Sequence, residues 1–385
     1  MQILLVNQPW PAFGGSESYL LTIAPPLQRA GHDVILYAPA GGETAQAARE
    51  RGIDVATQPG ELPDHPQAVV TQDGESAYAM AERYPDAVRP YVLHSSVFEP
   101  QRPPQLRDAC HLIIALNRGM YDQATSLGLD TPVARLTQPV DLDRFTDRGG
   151  RGTKLRRVLM LGNHWGGPGY RNYEAVAAAA ASLGAEVDLV GAGGRVTRSP
   201  EIEIASSDVV FGLGRCIVEA MASARPAYVF GNTSGGGWVT RDSYPAMEAL
   251  GFAGGGDGTA IEATRLRADL GRFEADMGQV NRRLAAARHD AHRHTAALVG
   301  LIEELKPKPA ADPAALDVLS RLVRVQRETE NRIAVAEADS RRLRAEVERL
   351  TSESERLRAA LGGRRYRLAQ TLARPIDILR RRFGR

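Results

Sequence analysis

Phe13-Gly14-Gly15-Ser16-Glu17 follows a short apolar run, Gln2 to Val6, which Asn7 closes, and it opens a helical pattern. A helix start presents N–H groups without intrahelical partners and a partial positive charge, so anions bind there. Glycine lets the backbone approach such a ligand closely. Gly14 and Gly15 are therefore candidates for an acceptor or phosphate loop, although the same residues also read as a tight turn. His94 ends the run Tyr91-Val92-Leu93 and precedes Ser95-Ser96. A histidine at the carboxyl end of a parallel strand points into the crevice where open α/β sheets bind ligands; the alternative is a structural histidine with satisfied hydrogen bonds. His289, His292 and His294 resemble zinc spacing, but these positions on a helix do not share one face, so no metal is expected. Nor does a loop carry an Asp-x-Asp cluster to hold a divalent ion. His164 reads as an exposed loop histidine.

These residues need a scaffold of alternating strands and helices. Strands are expected at Gln2–Val6, Val34–Tyr37, Asp54–Ala56, Ala68–Thr71, Tyr91–Leu93 and Leu112–Ala115. Between them lie helices from Ser16 to Leu27, Ala45 to Arg51, Ser76 to Tyr84 and Arg118 to Leu127. Pro25-Pro26 is expected to kink or shorten the first helix. A linker from Asp147 to Lys154 precedes a second series. Its strands fall at Arg157–Leu161, Glu186–Val190, Asp208–Phe211 and Ala227–Phe230, and its helices at Asn172–Leu183 and Arg215–Ser223. Helical segments follow over Thr259–Leu305. Such alternation argues for an α/β fold with two Rossmann-like doubly wound domains, 1–150 and 151–305. The stretch Gly235-Gly236-Gly237-Trp238-Val239-Thr240 is expected to line the cleft as a loop.

At 385 residues, 43% apolar and 24% charged, the chain suits a soluble protein of two domains plus an appendage. Cys110 and Cys216 are its two cysteines, too few for a disulfide framework, and a reducing compartment follows. The opening Met1 to Asn7 lacks the basic start and apolar stretch of a secretory leader, and no apolar run is long enough to span a bilayer. The expected location is the cytoplasm. The net charge of +2 hides an asymmetry: 363–385 holds eight arginines against Asp377, a charge of +7, which leaves −5 on the rest.

Gly14-Gly15-Ser16-Glu17-Ser18-Tyr19-Leu20, then Leu27 and Gly31-His32-Asp33-Val34, closely resembles the opening of family-4 glycosyltransferases of the GT-B fold. Ile114-Ala115-Leu116-Asn117, Leu127-Gly128 and Gln138-Pro139-Val140-Asp141-Leu142-Asp143-Arg144-Phe145 resemble the end of their first domain, where the family writes Asn-Gly-Val-Asp-x-x-x-Phe. The run from Asp208 to Pro226 resembles their donor-binding element, with the pattern Glu-x7-Glu-Ala-Met-Ala. Glu219 is the second glutamate; the first is replaced by Phe211. The resemblance implies a hexosyltransferase that uses a nucleotide-diphosphate sugar and retains anomeric configuration. It implies that the backbone of Gly212, Leu213 and Gly214 cradles the diphosphate, that Glu219 binds the ribose, and that Arg215 forks onto phosphate oxygens. Arg171, after the loop Gly162 to Tyr170, is the basic residue expected at the donor phosphates, where it stabilises the leaving group without a metal or other cofactor. His94 stands in an element similar to that of phosphatidylinositol mannosyltransferases, beside the reacting sugar. With Phe211 in place of the first glutamate, sugar recognition differs or activity is absent; a subset of such enzymes carries Gly-x-Gly-Arg-x3-Glu, as here. The segment between Gly193 and Asp208 is short for the family, which implies a reduced donor domain.

Leu319, Leu322, Gln326, Thr329, Ile333, Ala336, Ser340, Leu343, Val347, Leu350, Ser354, Leu357 and Leu361 keep heptad spacing, so 312–362 is expected to form a coiled coil and a homodimer, with a single long helix lying on the body as the alternative. The tail, 363–385, mixes arginines with Tyr366, Leu368, Leu372, Ile376, Leu379 and Phe383, the composition of an interfacial segment for an anionic membrane surface, or of a solvated basic tail. It also resembles the ends of many polysaccharide-building glycosyltransferases, which implies a lipid-linked or envelope acceptor at the inner face of the membrane. Nucleic-acid binding lacks a helix-turn-helix or aromatic platform. The competing reading is a decayed transferase that serves as a scaffold.

Overall fold

The computed structural model describes residues 1–8, 14–39, 41–95, 98–149, 152–163, 165, 170–231, 235–255, 263–362, 368 and 371, with the backbone alone at 341, 345, 361 and 362. Phe13, His164, the glycines of 166–169 and nearly all of the basic tail lie outside the described residues.

The first half alternates β1 (Gln2–Val6), α1 (Gly15–Arg29), β2 (Asp33–Tyr37), α2 (Gly42–Arg49), β3 (Asp54–Ala56), β4 (Ala68–Val70), α3 (Gly74–Arg83), β5 (Pro90–Leu93), β6 (Leu112–Ala115), α4 (Arg118–Ser126) and β7 (Val133–Arg135). Its strands pair in parallel in the orders β3-β2-β1-β4 and β5-β6-β7. Parallel bridges from Ala68 to Val88 and from Thr71 to Tyr91 join the two ladders. The strand order therefore reverses between β1 and β4, the switch point of a doubly wound sheet. Along β1 the side chains alternate faces. Ile3 and Leu5 pack with α1, and Leu4 and Val6 pack with Met80 and Tyr84 on the opposite face.

Helix α1 does not break at its prolines; it runs to Arg29. Pro25 cannot donate to the Leu21 carbonyl, and Arg51 Nη1 donates there instead at 3.0 Å.

The second half holds β8 (Arg157–Leu161), α5 (Arg171–Ala181), β9 (Glu186–Val190), α6 (Pro200–Ala205), β10 (Val209–Gly212), α7 (Arg215–Ala222), β11 (Ala227–Phe230), β12 (Gly235–Trp238), α8 (Tyr244–Ala249), α9 (Ala263–Leu270) and α10 (Met277–Arg288). The sheet order is β12-β11-β10-β8-β9, parallel except for β12. Helices α5 and α9 cover the face with Phe211 and Tyr228, and α7 and α10 cover the other. The glycine stretch expected as a cleft loop is instead this antiparallel edge strand. Trp238 lies edge-on to Tyr228 and donates to the Asp269 carbonyl at 2.9 Å.

Helix α11 (Ala291–Glu304) leaves the second half and returns to the first, where Leu298 and Ile302 join the core beneath α1. The two crossing segments are bound together, Val140 N–H to His289 O at 2.7 Å and Ala291 N–H to Val140 O at 3.1 Å. Val140 and Phe145, the apolar members of the Val-Asp-x-x-x-Phe stretch, are buried in the second core.

The last helix, α12, runs from Leu316 to Gly362. Its first turns belong to the body. Leu316 is buried, Leu319 and Val323 pack with Tyr78 and Ala81 of α3, and Glu75 accepts hydrogen bonds from Arg324 and Arg327. Leu319 thus serves the body rather than a heptad seam. Residues 328–385 form a separate compact unit, in which Ile333, Leu343, Val347, Leu350 and Leu357 are exposed. Among the described residues, no helix is long and apolar enough to cross a membrane.

Candidate active site

A cavity of about 350 Å³ opens where α1, β5, α4, α7 and α8 converge. Gly14, Gly15 and Glu17 line it from the start of α1, His94 from the end of β5, Gly214 and Arg215 from the start of α7, and Glu248 from α8. The structure therefore brings together the glycine loop, the histidine and the donor-helix start that the sequence singled out separately.

Each wall follows from local chemistry. Gly14 is the N-cap of α1, and Glu17 Oε2 accepts its N–H at 3.0 Å, the half of a capping box that remains when the N-cap has no side chain. A Cβ at Gly15 would meet nothing within 4 Å, so the fold does not demand glycine there and the space opposite it is open. Gly214 has φ +57, a conformation glycine adopts without strain, and it turns β10 into α7. Its own N–H donates to the Phe252 carbonyl at 3.0 Å. Gly212 fits between strand ends, since a Cβ would lie 3.0 Å from the Leu161 carbonyl oxygen. Leu213 packs on Gly231 behind the loop.

Arg215 spans the cavity floor. Its Nε donates to Glu219 Oε1 at 2.8 Å and its Nη1 to the Pro139 carbonyl at 3.3 Å, while Nη2 donates to the Thr22 hydroxyl of α1. Burial raises the Glu219 carboxyl above its usual range, and the Arg215 guanidinium opposes that shift. Glu219 is one helical turn behind Arg215 and reaches the cavity through it. Phe211, in the place of the family's first glutamate, is fully buried and stacked on Tyr228 at 4.4 Å between ring centroids. It serves the core under α5 and α9. Arg171 is exposed at the first position of α5 and does not line the cavity; residues 164 and 166–169 of the loop before it lie outside the described residues.

His94 Nε2 donates to Gln72 Oε1, an amide oxygen that can only accept, and Tyr19 meets the ring edge-on at 5.1 Å. Burial first, then Arg215 and His294, push its pKa down to about 3, so the ring is neutral at ordinary pH. Beneath it, Tyr19 donates to His294 Nε2 at 2.8 Å, and His294 Nδ1 donates to the Thr137 carbonyl at 2.9 Å. His289 repeats the arrangement with Tyr244 and the Gln138 carbonyl. Two members of the histidine trio are thus clamps on the crossing segment, and the third, His292, is half-exposed beside Arg29. Among the described residues, no group of three His, Cys, Asp or Glu could hold a metal ion.

Sequence reasoning missed Asn7, Gln72 and Glu248. Glu248 is buried, its Oε2 accepts from Arg135, and its Oε1 has no hydrogen-bond partner among the described residues. A buried carboxylate oxygen facing a cavity is an acceptor for a ligand hydroxyl.

Solved structures share this architecture. HepE of Anabaena in complex with UDP-glucose aligns with a TM-score of 0.56 at 16% identity, over 79% of this chain and 100% of that one. A glycosyltransferase of Rickettsia africae aligns with a TM-score of 0.52 at 12% identity, over 79% and 98%. The fold is that of a glycosyltransferase. AviGT4, from avilamycin A biosynthesis, is similar at a TM-score of 0.50 and 16% identity, over 80% and 99%. No family model and no curated protein matches the sequence.

Proposed function

We propose that the chain is a GT-B glycosyltransferase that moves a hexose from a nucleotide-diphosphate sugar to an acceptor hydroxyl. The observation that carries this reading is the cavity shared by the start of α1, His94 and the start of α7. HepE, of like fold, has been solved with UDP and with UDP-glucose. In this reading 1–150 is the acceptor side and 151–305 the donor side. The diphosphate lies at the start of α7, near Gly212, Leu213 and Gly214, where helix dipole and backbone favour anions. Arg215 meets it after exchanging its Thr22 or Pro139 contact, and Arg171 swings onto it from α5. Glu219 takes the ribose hydroxyls and Glu248 a sugar hydroxyl. The sugar reacts beside His94, with retention and without a metal.

The acceptor is a lipid-linked or envelope saccharide met at an anionic membrane surface through 363–385, with the body in the cytoplasm. The chain pairs as a parallel homodimer through 312–362. In register, that pairing sets Arg332 against the partner's Glu337, Asp339 against the partner's Arg344 and Glu353 against the partner's Arg358. It also matches the polar seam residues Gln326, Ser340 and Ser354 with themselves.

The reaction is tested by incubating the protein with a panel of nucleotide sugars and reading nucleoside diphosphate release and product anomer. Release that survives a chelator and falls in Arg171→Ala supports the reading. A second reading, a scaffold that has lost turnover, is favoured by Phe211 in the core and by the contacts that occupy Arg215; nucleotide binding without release from any sugar nucleotide would select it.

A further inference from the structure

Asn7 closes β1 and Gln72 follows β4, the adjacent strands at which the first sheet reverses its order. At this switch point four side chains form one line of hydrogen bonds. Glu17 Oε2 accepts from the Gly14 N–H and the Ser16 hydroxyl, both at 3.0 Å, and Glu17 Oε1 accepts from Asn7 Nδ2 at 3.1 Å. Asn7 Oδ1 accepts from Gln72 Nε2 at 3.3 Å, and Gln72 Oε1 meets His94 Nε2. Glu17, Asn7 and Gln72 are 2%, 3% and 0% exposed, so these side chains satisfy one another rather than bulk solvent.

The line has a direction. An ionised carboxylate only accepts, whereas a side-chain amide donates from one atom and accepts at the other. Glu17 therefore obliges Asn7 to present its NH2. Asn7 is then left with an oxygen for Gln72, and Gln72 with an oxygen for His94. A ring nitrogen facing that oxygen must carry the proton.

We propose that Glu17 is a positioning residue. Acting through Asn7 and Gln72, its carboxylate fixes His94 in the Nε2–H tautomer, so that Nδ1 is the acceptor His94 offers to a sugar hydroxyl in the cavity. The assignment of a sugar to His94 rests on the function proposed above; the relay itself does not. Gly14, the N-cap whose N–H Glu17 holds, lines the same cavity, so one carboxylate sets both the glycine loop and the polarity of the histidine.

The test uses the full chain and reads the two His94 ring nitrogens by long-range proton–nitrogen correlation NMR, with assignment by loss of the signals in His94→Gln. The unaltered protein shows Nε2 protonated and Nδ1 bare. In Glu17→Gln, the two donors at Gly14 and Ser16 hold the amide oxygen on their side, so the NH2 faces Asn7. Asn7 and Gln72 then turn over, and His94 changes to the Nδ1–H tautomer with turnover reduced about tenfold or more. In the double variant Glu17→Gln with Gln72→Glu the relay runs from the other end: Asn7 donates to the carboxylate introduced beside it, which also accepts from His94. Both the Nε2–H tautomer and turnover return. An Nδ1–H tautomer in the unaltered protein overturns the proposal even if no variant folds, and so does a tautomer that Glu17→Gln leaves unchanged. Full turnover in His94→Ala would instead remove the sugar-contact reading while leaving the relay in place.

Discussion

Arg215 ties three parts of the site together: α1 through Thr22, the crossing segment through Pro139, and Glu219 on its own helix. Glu219→Ala strands a mostly buried guanidinium, and it is expected to weaken ribonucleotide binding more than deoxyribonucleotide binding, which paired binding titrations measure. His94→Ala is expected to lower turnover by at least about tenfold, or 1.4 kcal/mol of transition-state stabilisation, with the melting temperature nearly unchanged; a large loss of stability at full specific activity would return His94 to a structural role. Glu248→Gln is expected to raise the KM for the sugar nucleotide several-fold while affinity for the free nucleoside diphosphate stays put. Glycines and a histidine at strand ends were legible because their chemistry and their place in the chain coincide. Asn7 and Gln72 were not, because their significance comes from strand order, which brings residues 65 positions apart into contact. Glu248 was hidden for a similar reason: nothing around it in the sequence announces a cavity wall.

The elements that hold the site are joined by neutral histidines. His289 and His294 each take a tyrosine hydroxyl on Nε2 and hold a backbone carbonyl of the crossing segment with Nδ1, and burial lowers both pKa values to about 4. A histidine whose folded pKa lies below its unfolded value of about 6.5 takes up a proton on unfolding. Stability is therefore full above that value and falls as pH drops toward 4. Each such group contributes a slope of at most about 1.4 kcal/mol per pH unit. Asp73, raised to about 6 by burial, and Glu219, also raised, oppose the trend, since the folded state holds their protons more readily. Melting curves between pH 6.5 and 4 are expected to fall steeply, and His289→Gln with His294→Gln to flatten that slope; an unchanged slope would contradict the assignment. Most strands were readable from apolar runs. β12 was not, because Gly235, Gly236 and Gly237 have low strand propensity. The persistence of α1 through its prolines depends on Arg51, a side chain 30 residues from the carbonyl it satisfies.

At the scale of the whole molecule, two modest sheets and a long helix divide the work. The start of α12 is held to α3 by a buried carboxylate, Glu75, and beyond Arg327 the helix exposes Leu343, Val347 and Leu350. Leu343→Glu with Leu350→Glu is expected to convert a dimer to a monomer in sedimentation without altering the melting of the body; an equal sedimentation coefficient would reject pairing through this segment. The doubly wound architecture was legible in the sequence from strand–helix alternation. The return of α11 to the first half was not, since its apolar face at Leu298 and Ile302 fits either core by composition.

The central claim is that the shared cavity binds a nucleotide-sugar donor, and the most direct measurement is thermal stabilisation by a panel of nucleoside diphosphates. One base at least is expected to stabilise the protein by roughly 2.7 kcal/mol at 100-fold excess over its dissociation constant, with the effect reduced in Glu219→Ala and Arg171→Ala. Failure of every nucleoside diphosphate to stabilise the protein, or equal stabilisation in the parent and both variants, would contradict the account.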